Sequence, residues 1–597
     1  MKKFPDSKKS TVAQEQGNDS AITGVAHVGD PSVCAFHRDS LAVPEANKVT
    51  VSLKEYKGMV SPNPIGWYYK CANVVLAKDG ALVASFQLSD NHHSLASYIV
   101  VARSEDGGRT WKDHQIITKA NVWEENAVWV APQMGILKDG RIVIIADWGN
   151  RFPGQNMPML TDWQKPERGM SNHLFWSKDN GRTWSGPEKI DDVGGEPSYI
   201  IELSDGTLAF TRTESAGTDK LKNPPMPWGN VYYRSIIVFS DDGGKTWGRT
   251  AQLTDSPFHG DCEVGLVELA PGELLAATRI GLGGGAFGHS SRLIRSHDGG
   301  RTWDKGEIAP FYGQRVHIAK LQSGNLLGTY RSSRGTPGNR ALVFHPDEKI
   351  GFQPNSWIQD ESRCELSSDA LTLRTVEGNE GAVQFILYPA QDDQSRVEIE
   401  ATLRVEKAGQ KACTISAGCW IRFLPNRVEL VDHPEVGFAI DADKWHSYWI
   451  VRENGILTIT VDGKEMLRTK VGNSWVREVR FGNLPRGGHE VFTENGGVSH
   501  WRSVSAKVTN ADDYSIDWKW TTAQGYPDQF RRDRVVVLDN SRRSDCGYSS
   551  WAQLPDGTIA ILDYTTATQE FFLKSRVSPL IRAYLVKEQD LVRQKNG

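Results

Sequence analysis

Three arginines close apolar runs in the same manner. Arg212 ends "TLAFTR", Arg279 ends "ELLAATR" and Arg331 ends "NLLGTYR". A guanidinium stays charged and presents a planar fork of donors, so arginines at matching strand ends can neutralise and orient a carboxylate. Glu263 opens the apolar run "EVGLVELA", where a lone acid needs a partner or a chemical role. The loop "LSDNHHS" carries Asp90, His92 and His93, groups able to move protons near neutral pH. The histidine pair lacks a clear third ligand, and the seven cysteines contain no CxxC spacing, so neither a metal nor another cofactor is expected. "GLGGGAFG" at 281–288 has the look of a nucleotide loop, but that motif needs a strand before it and a helix after it. A strand-like "SSRLIRS" follows instead, so the segment reads as a loop between strands.

These residues need a scaffold that brings distant stretches together, and the chain repeats itself accordingly. "SEDGGRTW" at Ser104 returns as "SKDNGRTW" at Ser177, "SDDGGKTW" at Ser240 and "SHDGGRTW" at Ser296. A second repeat has apolar alternation broken by a turn glycine, at Gly80, Gly140, Gly206, Gly272, Gly324 and Gly557. Each copy reads as a β-hairpin. Six hairpins at steps of 52 to 66 residues, with one step of 233, predict an all-β, six-bladed β-propeller interrupted once. The eight-letter segment falls where a blade's third and fourth strands meet. Its Ser, Asp and Gly suit a stabilised turn and its Trp suits packing between blades, so it reads as a fastener without catalytic duty.

The long step places an antiparallel jelly-roll β-sandwich at about 348–512, between blades 5 and 6, with strands such as "VEIEATLRVEK" and "WHSYWIVRENGILTITVDG". The expected organisation is a polar tail over 1–45, blades 1–5 over 46–347, the sandwich, and the sixth blade with closure over 513–597. Trp67, Trp129, Trp148 and Tyr199 can either stack on a sugar face or pack between blades.

Composition narrows the function. Hydrophobic residues make up 39% and charged residues 24% of 597, a globular balance. A net charge of −4 gives no pull toward nucleic acid or anionic membrane. No apolar run is long enough to span a bilayer. The first twenty residues lack the apolar centre of a signal peptide, as either a cytoplasmic chain or a trimmed secreted one would.

The repeated S-x-D-x-G-x-T-W resembles the Asp-box of the sialidase (neuraminidase) superfamily, over about 50–347 and 513–590. The inserted segment resembles concanavalin-like and laminin-G modules in pattern only. The resemblance implies a tyrosine nucleophile, because a carboxylate would be repelled by the substrate's own carboxylate. "GYSSWAQLPDG" carries that role to Tyr548. "DCEVGLVELAPGELLAATR" carries the activating base to Glu263 and a carboxylate-binding arginine to Arg279. A second arginine is expected at Arg331 or Arg340. Two features depart from the family: Lys70 stands where its Arg-Ile-Pro triplet begins, and its acid/base aspartate is matched only by Asp90 or by His92 and His93. The resemblance implies an exo-acting glycoside hydrolase acting on a glycan or glycoconjugate bearing a terminal acidic sugar. A polysaccharide lyase using a His/Tyr pair on the same scaffold, and a non-catalytic glycan-binding protein, are the alternatives.

Overall fold

The computed structural model describes residues 41–53, 56, 67–92, 94–150, 169–217, 231–280, 291–332, 338–358, 360–375, 383–390, 394–409, 412–472, 478–483, 496–510, 512–541, 545–566 and 579–592. Six four-stranded antiparallel sheets form the blades of a propeller. Blade 1 runs Tyr68–Leu76, Leu82–Ser89, Ala96–Ser104 and Lys112–Asn121 from the axis outward, and blades 2 to 4 repeat this order. The apolar hairpins form because their turn glycines sit at φ between +80 and +94, a left-handed conformation that costs glycine little. Side chains of successive blades share clusters: Val83 and Ile99 of blade 1 pack with Met134 and Ile144 of blade 2.

Blade 6 closes the ring with both chain ends. Its strands Gly547–Gln553, Thr558–Thr565 and Leu580–Lys587 are completed by Lys48–Thr50, which pairs antiparallel to the last of them. The expected polar tail lies outside the described residues as far as residue 40.

The insertion enters one strand earlier than the hairpin spacing placed it. Blade 5 consists of Gln314–Lys320, Leu326–Ser332, Gly338–Phe344 and, after the excursion, Val535–Asn540. The sandwich therefore interrupts blade 5 after its third strand, instead of falling between blades 5 and 6. Hairpin glycines mark only the first two strands of a blade, so spacing could not tell which outer strand the excursion precedes. The excursion itself is two antiparallel sheets of seven and eight strands. They face one another across a single core, with Phe385, Ile415 and Phe481 from one and Leu403, Ile450 and Trp501 from the other. Its strands extend to Ser515–Thr521, past the expected boundary at 512. Arg292 of blade 4 donates to Tyr514 Oη at 2.7 Å, which ties the sandwich to the propeller.

The four fasteners are superimposable in chemistry. In the second, Ser177 Oγ donates to Asp179 Oδ1 at 2.9 Å and accepts from Gly181 N at 2.8 Å. Asp179 also accepts from Thr183 N at 2.8 Å and from Thr183 Oγ1 at 2.6 Å. Trp184 packs against the core shared by blades 1 and 2. Slight burial pushes Asp106 and Asp179 up, but donations from threonine hydroxyl and backbone reverse this and hold both at about 2. In Asp298 the threonine hydroxyl leads, again to about 2. A depressed carboxylate contributes stability that is present above its unfolded value near 4 and lost as pH falls through its folded value. Acid unfolding followed by circular dichroism is therefore expected to steepen between about pH 4 and 2. Ser177→Ala, which strands buried Gly181 N, is expected to lower stability by about 1–2 kcal/mol in a denaturant titration.

Among the described residues no helix is long and apolar enough to cross a membrane.

Candidate active site

In five blades the innermost strand carries one residue with left-handed backbone at a bulge, and in blade 3 the equivalent residue lies just before the short strand Ile201–Glu202. These are Cys71, Ala131, Glu196, Glu263, Arg315 and Tyr548, with φ from +47 to +56. Five of them lie nine residues before the turn glycine of their hairpin, and Glu196 lies ten before Gly206. The register of the first strand pair shifts at each of the five, as between Cys262 and Gly265 or between Gly547 and Ser550. A bulge re-aims a side chain, and holding a non-glycine residue in this region costs on the order of 1 kcal/mol. Six re-aimed side chains at one level around the axis make a ring. Blades 1 and 2 contribute Cys71 and Ala131, in an apolar cluster with Val128, Val130 and Met170. Blades 3 to 6 contribute two carboxyls, a guanidinium and a phenol.

A second ring comes from the paired strand. Cys262 pairs with Arg279, Gln314 with Arg331 and Gly547 with Tyr564. Each of these partners stands seven residues after its turn glycine.

The two rings meet around Tyr548. Its Oη donates a short hydrogen bond to Glu263 Oε1, and Arg279 Nη1 donates to the same oxygen at 2.6 Å. Glu263 is 1% exposed, whereas Tyr548 is only partly buried. Glu263 Oε2 has no hydrogen-bond partner among the described residues. The Arg331 and Arg315 guanidinium groups lie 4.8 and 5.5 Å from the centre of the Tyr548 ring. Arg315 spends its donors on backbone, with Nη1 3.1 Å from Glu196 O and Nη2 on Pro197 O.

The charges follow from this crowding. Burial pushes the Glu263 carboxyl up, and Arg279, Arg331 and Arg315 more than reverse it, so it lies below its ordinary value. Burial and the Glu263 charge raise the Tyr548 phenol well above 10. The pair thus rests as carboxylate and neutral phenol, joined by the hydrogen bond from Tyr548 Oη to Glu263 Oε1. Burial, then the Glu263 charge, push Glu196 up to about 7.

The 90–93 loop splits its three candidates. Asp90 Oδ1 accepts from Leu95 N at 2.8 Å and Ala96 N at 3.0 Å, which shapes the loop. His92 Nδ1 lies 2.7 Å from Asp545 Oδ2. His93 lies outside the described residues, as does the 281–288 loop. Lys70 Nζ donates to His92 O at 2.6 Å, so the ammonium braces this loop.

Besides Lys70, two more of the expected anion binders point elsewhere. Arg340 Nη1 donates to Asn339 O and Asp539 O, both at 3.1 Å, and fastens the third strand of blade 5 to its fourth. Arg212 stands six residues after its turn glycine, not seven. Alternation along a strand therefore turns it to the opposite face from the equivalents of Arg279 and Arg331. There it pairs with Asp191 at 3.2 Å and Glu214 at 2.9 Å. Arg212→Met is expected to leave turnover within about twofold of the parent and to cost about 1–3 kcal/mol of stability. The aromatic candidates are packing groups. Trp129 meets Trp148 at 4.6 Å, and Tyr199 Oη donates to Leu266 O and Ile318 O, both at 2.7 Å. Trp67 packs edge-on against Tyr98 at 5.6 Å.

Residues 154–367 match the BNR repeat-like domain family. A sialidase of Clostridium perfringens is 28% identical over 256 residues, covering 40% of this chain and 60% of that protein. A sialidase of Bacteroides fragilis is 25% identical over 262 residues, covering 40% of this chain and 43% of that protein. The chain matches the sialidase superfamily. Its matched part spans about half the length of these curated relatives, between 43% and 60%. Among solved structures, Trypanosoma rangeli sialidase in complex with sialic acid aligns over 78% of this chain and 96% of its own, with 12% identity and a TM-score of 0.35. A protein of unknown function from Dyadobacter fermentans aligns over 58% of this chain and 95% of its own, with 17% identity and a TM-score of 0.41.

Against the superfamily's Arg-Ile-Pro opening, Lys70-Cys71-Ala72 keeps one positive charge but directs it to a loop carbonyl. Glu196, Arg315 and Asp545 do not stand out in the sequence. The nine-residue offset before each turn glycine would have found Arg315, and nearly found Glu196. No such periodicity marks Asp545. Among the described residues no group of three or more His, Cys, Asp or Glu stands ready to hold a metal ion.

Proposed function

We propose that the chain is an exo-acting glycoside hydrolase of sialidase type that releases a terminal acidic sugar from a glycan. The observation that carries this reading is the Tyr548 phenol hydrogen-bonded to buried Glu263, with Arg279 and Arg331 beside them. Glu263 takes the phenol proton as Tyr548 Oη attacks the anomeric carbon. The glycosidic bond breaks, and its oxygen leaves with a proton from the 90–93 loop. Water then attacks the anomeric carbon of the glycosyl-tyrosine and gives its proton to the loop group, while Glu263 returns the first proton to the departing phenol oxygen, which restores the enzyme. A neutral nucleophile suits a substrate whose own carboxylate is held by guanidinium groups, since a charged nucleophile would be repelled. Two displacements at one carbon retain its configuration.

The test is to incubate the full chain with aryl and disaccharide glycosides of acidic sugars and follow the first-formed product by proton NMR. Release of the free acid with retained anomeric configuration is expected. An inverted product would exclude a tyrosyl intermediate. A new carbon–carbon double bond in the product would replace hydrolysis by lyase chemistry. Binding without turnover across such a panel would leave a glycan-binding protein.

A further inference from the structure

We propose that His92 and Asp545 form one proton-donating unit, with His92 protonating the departing oxygen and Asp545 holding its imidazole in place from blade 6. This deepens the hydrolase reading and rests on it for its kinetic part. The juxtaposition is between far-apart stretches: the loop after the second strand of blade 1, and the residue three positions before Tyr548. The turn of chain that presents the nucleophile thus also anchors the acid.

Each partner is fixed on its other side. Asp545 Oδ2 lies 2.7 Å from His92 Nδ1, and its Oδ1 accepts from Tyr564 Oη at 2.6 Å. Arg331 Nη1 stands 3.6 Å from that same Oδ1. On the imidazole's side, the Tyr68 ring packs edge-on at 6.4 Å and Lys70 Nζ grips the His92 carbonyl. Asp90, on the same loop, is turned to backbone N–H groups. His92 keeps 41% of its side chain exposed and Asp545 19%, so the pair sits at the accessible rim and not in the core. With Asp545 accepting from Nδ1–H, the ring's other nitrogen, Nε2, donates a proton when the imidazole is protonated and accepts one when it is neutral, so one site serves both steps. Partial burial pushes the Asp545 carboxyl up to about 7. The step balances: the proton leaves Nε2 for the glycosidic oxygen as its bond to the anomeric carbon breaks, and the attacking water of the second step returns it.

Asp545→Asn and His92→Gln test this on two substrate classes. A sugar leaving group needs protonation, whereas a 4-nitrophenolate departs largely without it. Asp545→Asn is expected to lower kcat/KM on the sugar-linked substrate by about 10- to 100-fold. Its loss on the nitrophenyl glycoside is expected to be at least about ten times smaller, as judged from the same general-acid range. Removing the neighbouring carboxylate lowers the imidazole's pKa, so the alkaline limb of the sugar-linked profile should move to lower pH. His92→Gln should abolish that limb. Equal losses on both substrates, or an unmoved limb, would reduce the pair to loop packing. Nitrogen-15 NMR of the full chain reads the unit without any turnover: the His92 pKa should fall in Asp545→Asn. An unchanged pKa overturns the proposal. A parent chain inactive on both substrates would overturn the hydrolase reading instead, and the NMR result would then decide the pair alone.

Discussion

Tyr548→Phe is expected to lose at least about 10³-fold in kcat/KM on every acidic-sugar glycoside while the protein remains folded. The substitution removes one oxygen and keeps the ring. Arg331 and Arg315 retain their positions over the π face. Glu263 Oε1 retains its 2.6 Å bond to Arg279, so the buried carboxylate is not left unpaired. The expected stability change is therefore under about 1 kcal/mol, against loss of the only proposed covalent step. Glu263→Gln should reduce turnover by about 10²–10³-fold through loss of the base, and it should also unfold more easily. It breaks a buried ion pair, a change that costs about 3–5 kcal/mol. Measuring both variants by steady-state kinetics and by denaturant titration separates the chemistry from the packing. A Tyr548→Phe protein within tenfold of the parent would leave the phenol as a packing group and remove the mechanism.

The repeats make the scaffold legible in the sequence alone. Turn glycines are forced by backbone geometry, so they survive as visible marks, and six of them counted the blades. The fasteners were equally readable because each letter does one thing. Ser177 bonds Gly181 N, Asp179 bonds Thr183, and Trp184 packs. Less was legible where a residue's meaning depends on which way it faces. Arg212 and Arg279 look alike at the ends of their strands, yet one residue of register sends Arg212 to the ion pairs of the opposite face. Arg340 looked like a neighbour of Arg331 and proves to be a brace for the fourth strand of blade 5. That strand arrives about 190 residues after the third, across the excursion, and no local pattern reports such a pairing.

The site was half legible for a related reason. Glu263, Arg279 and Tyr548 stand at conspicuous ends of apolar runs. Arg315 occupies an equivalent bulge and Glu196 the corresponding left-handed position of blade 3, but "GGEPSYI" and "GQRVHI" advertise nothing. Bulges at five equivalent points around an axis recur in the backbone, not in the side chains. The chemistry lies in which blades filled those points with charge. Blades 3 to 6 did so, while Cys71 and Ala131 left the other third of the ring apolar.

Arg279→Met should produce the second large effect, and it separates two duties of one side chain. Arg279 donates to Glu263 at 2.6 Å and is also a proposed holder of the substrate carboxylate. Losing both contacts is expected to cost about 10²–10⁴-fold in kcat/KM, since hydrogen bonds to charged groups contribute about 1.5–3 kcal/mol each. The sign of the accompanying pH effect is fixed. Burial raises the Glu263 carboxyl, and the largest force lowering it is Arg279, with Arg331 and Arg315 following. Without Arg279 the Glu263 pKa rises, the carboxylate form is lost at a higher pH, and the acid limb of kcat/KM moves upward. The stability that Glu263 contributes is present above its unfolded value near 4.3 and lost as pH falls through its folded value, so in this variant that loss also begins at a higher pH. Arg279→Lys distinguishes the two duties. It keeps the charge and so nearly preserves the acid limb, but it loses the planar fork and should raise KM by about tenfold. If Arg279→Met left the limb where it was, Glu263 would not be the base that the profile reports. The hydrogen bond to Tyr548 would then position the ring instead of activating it.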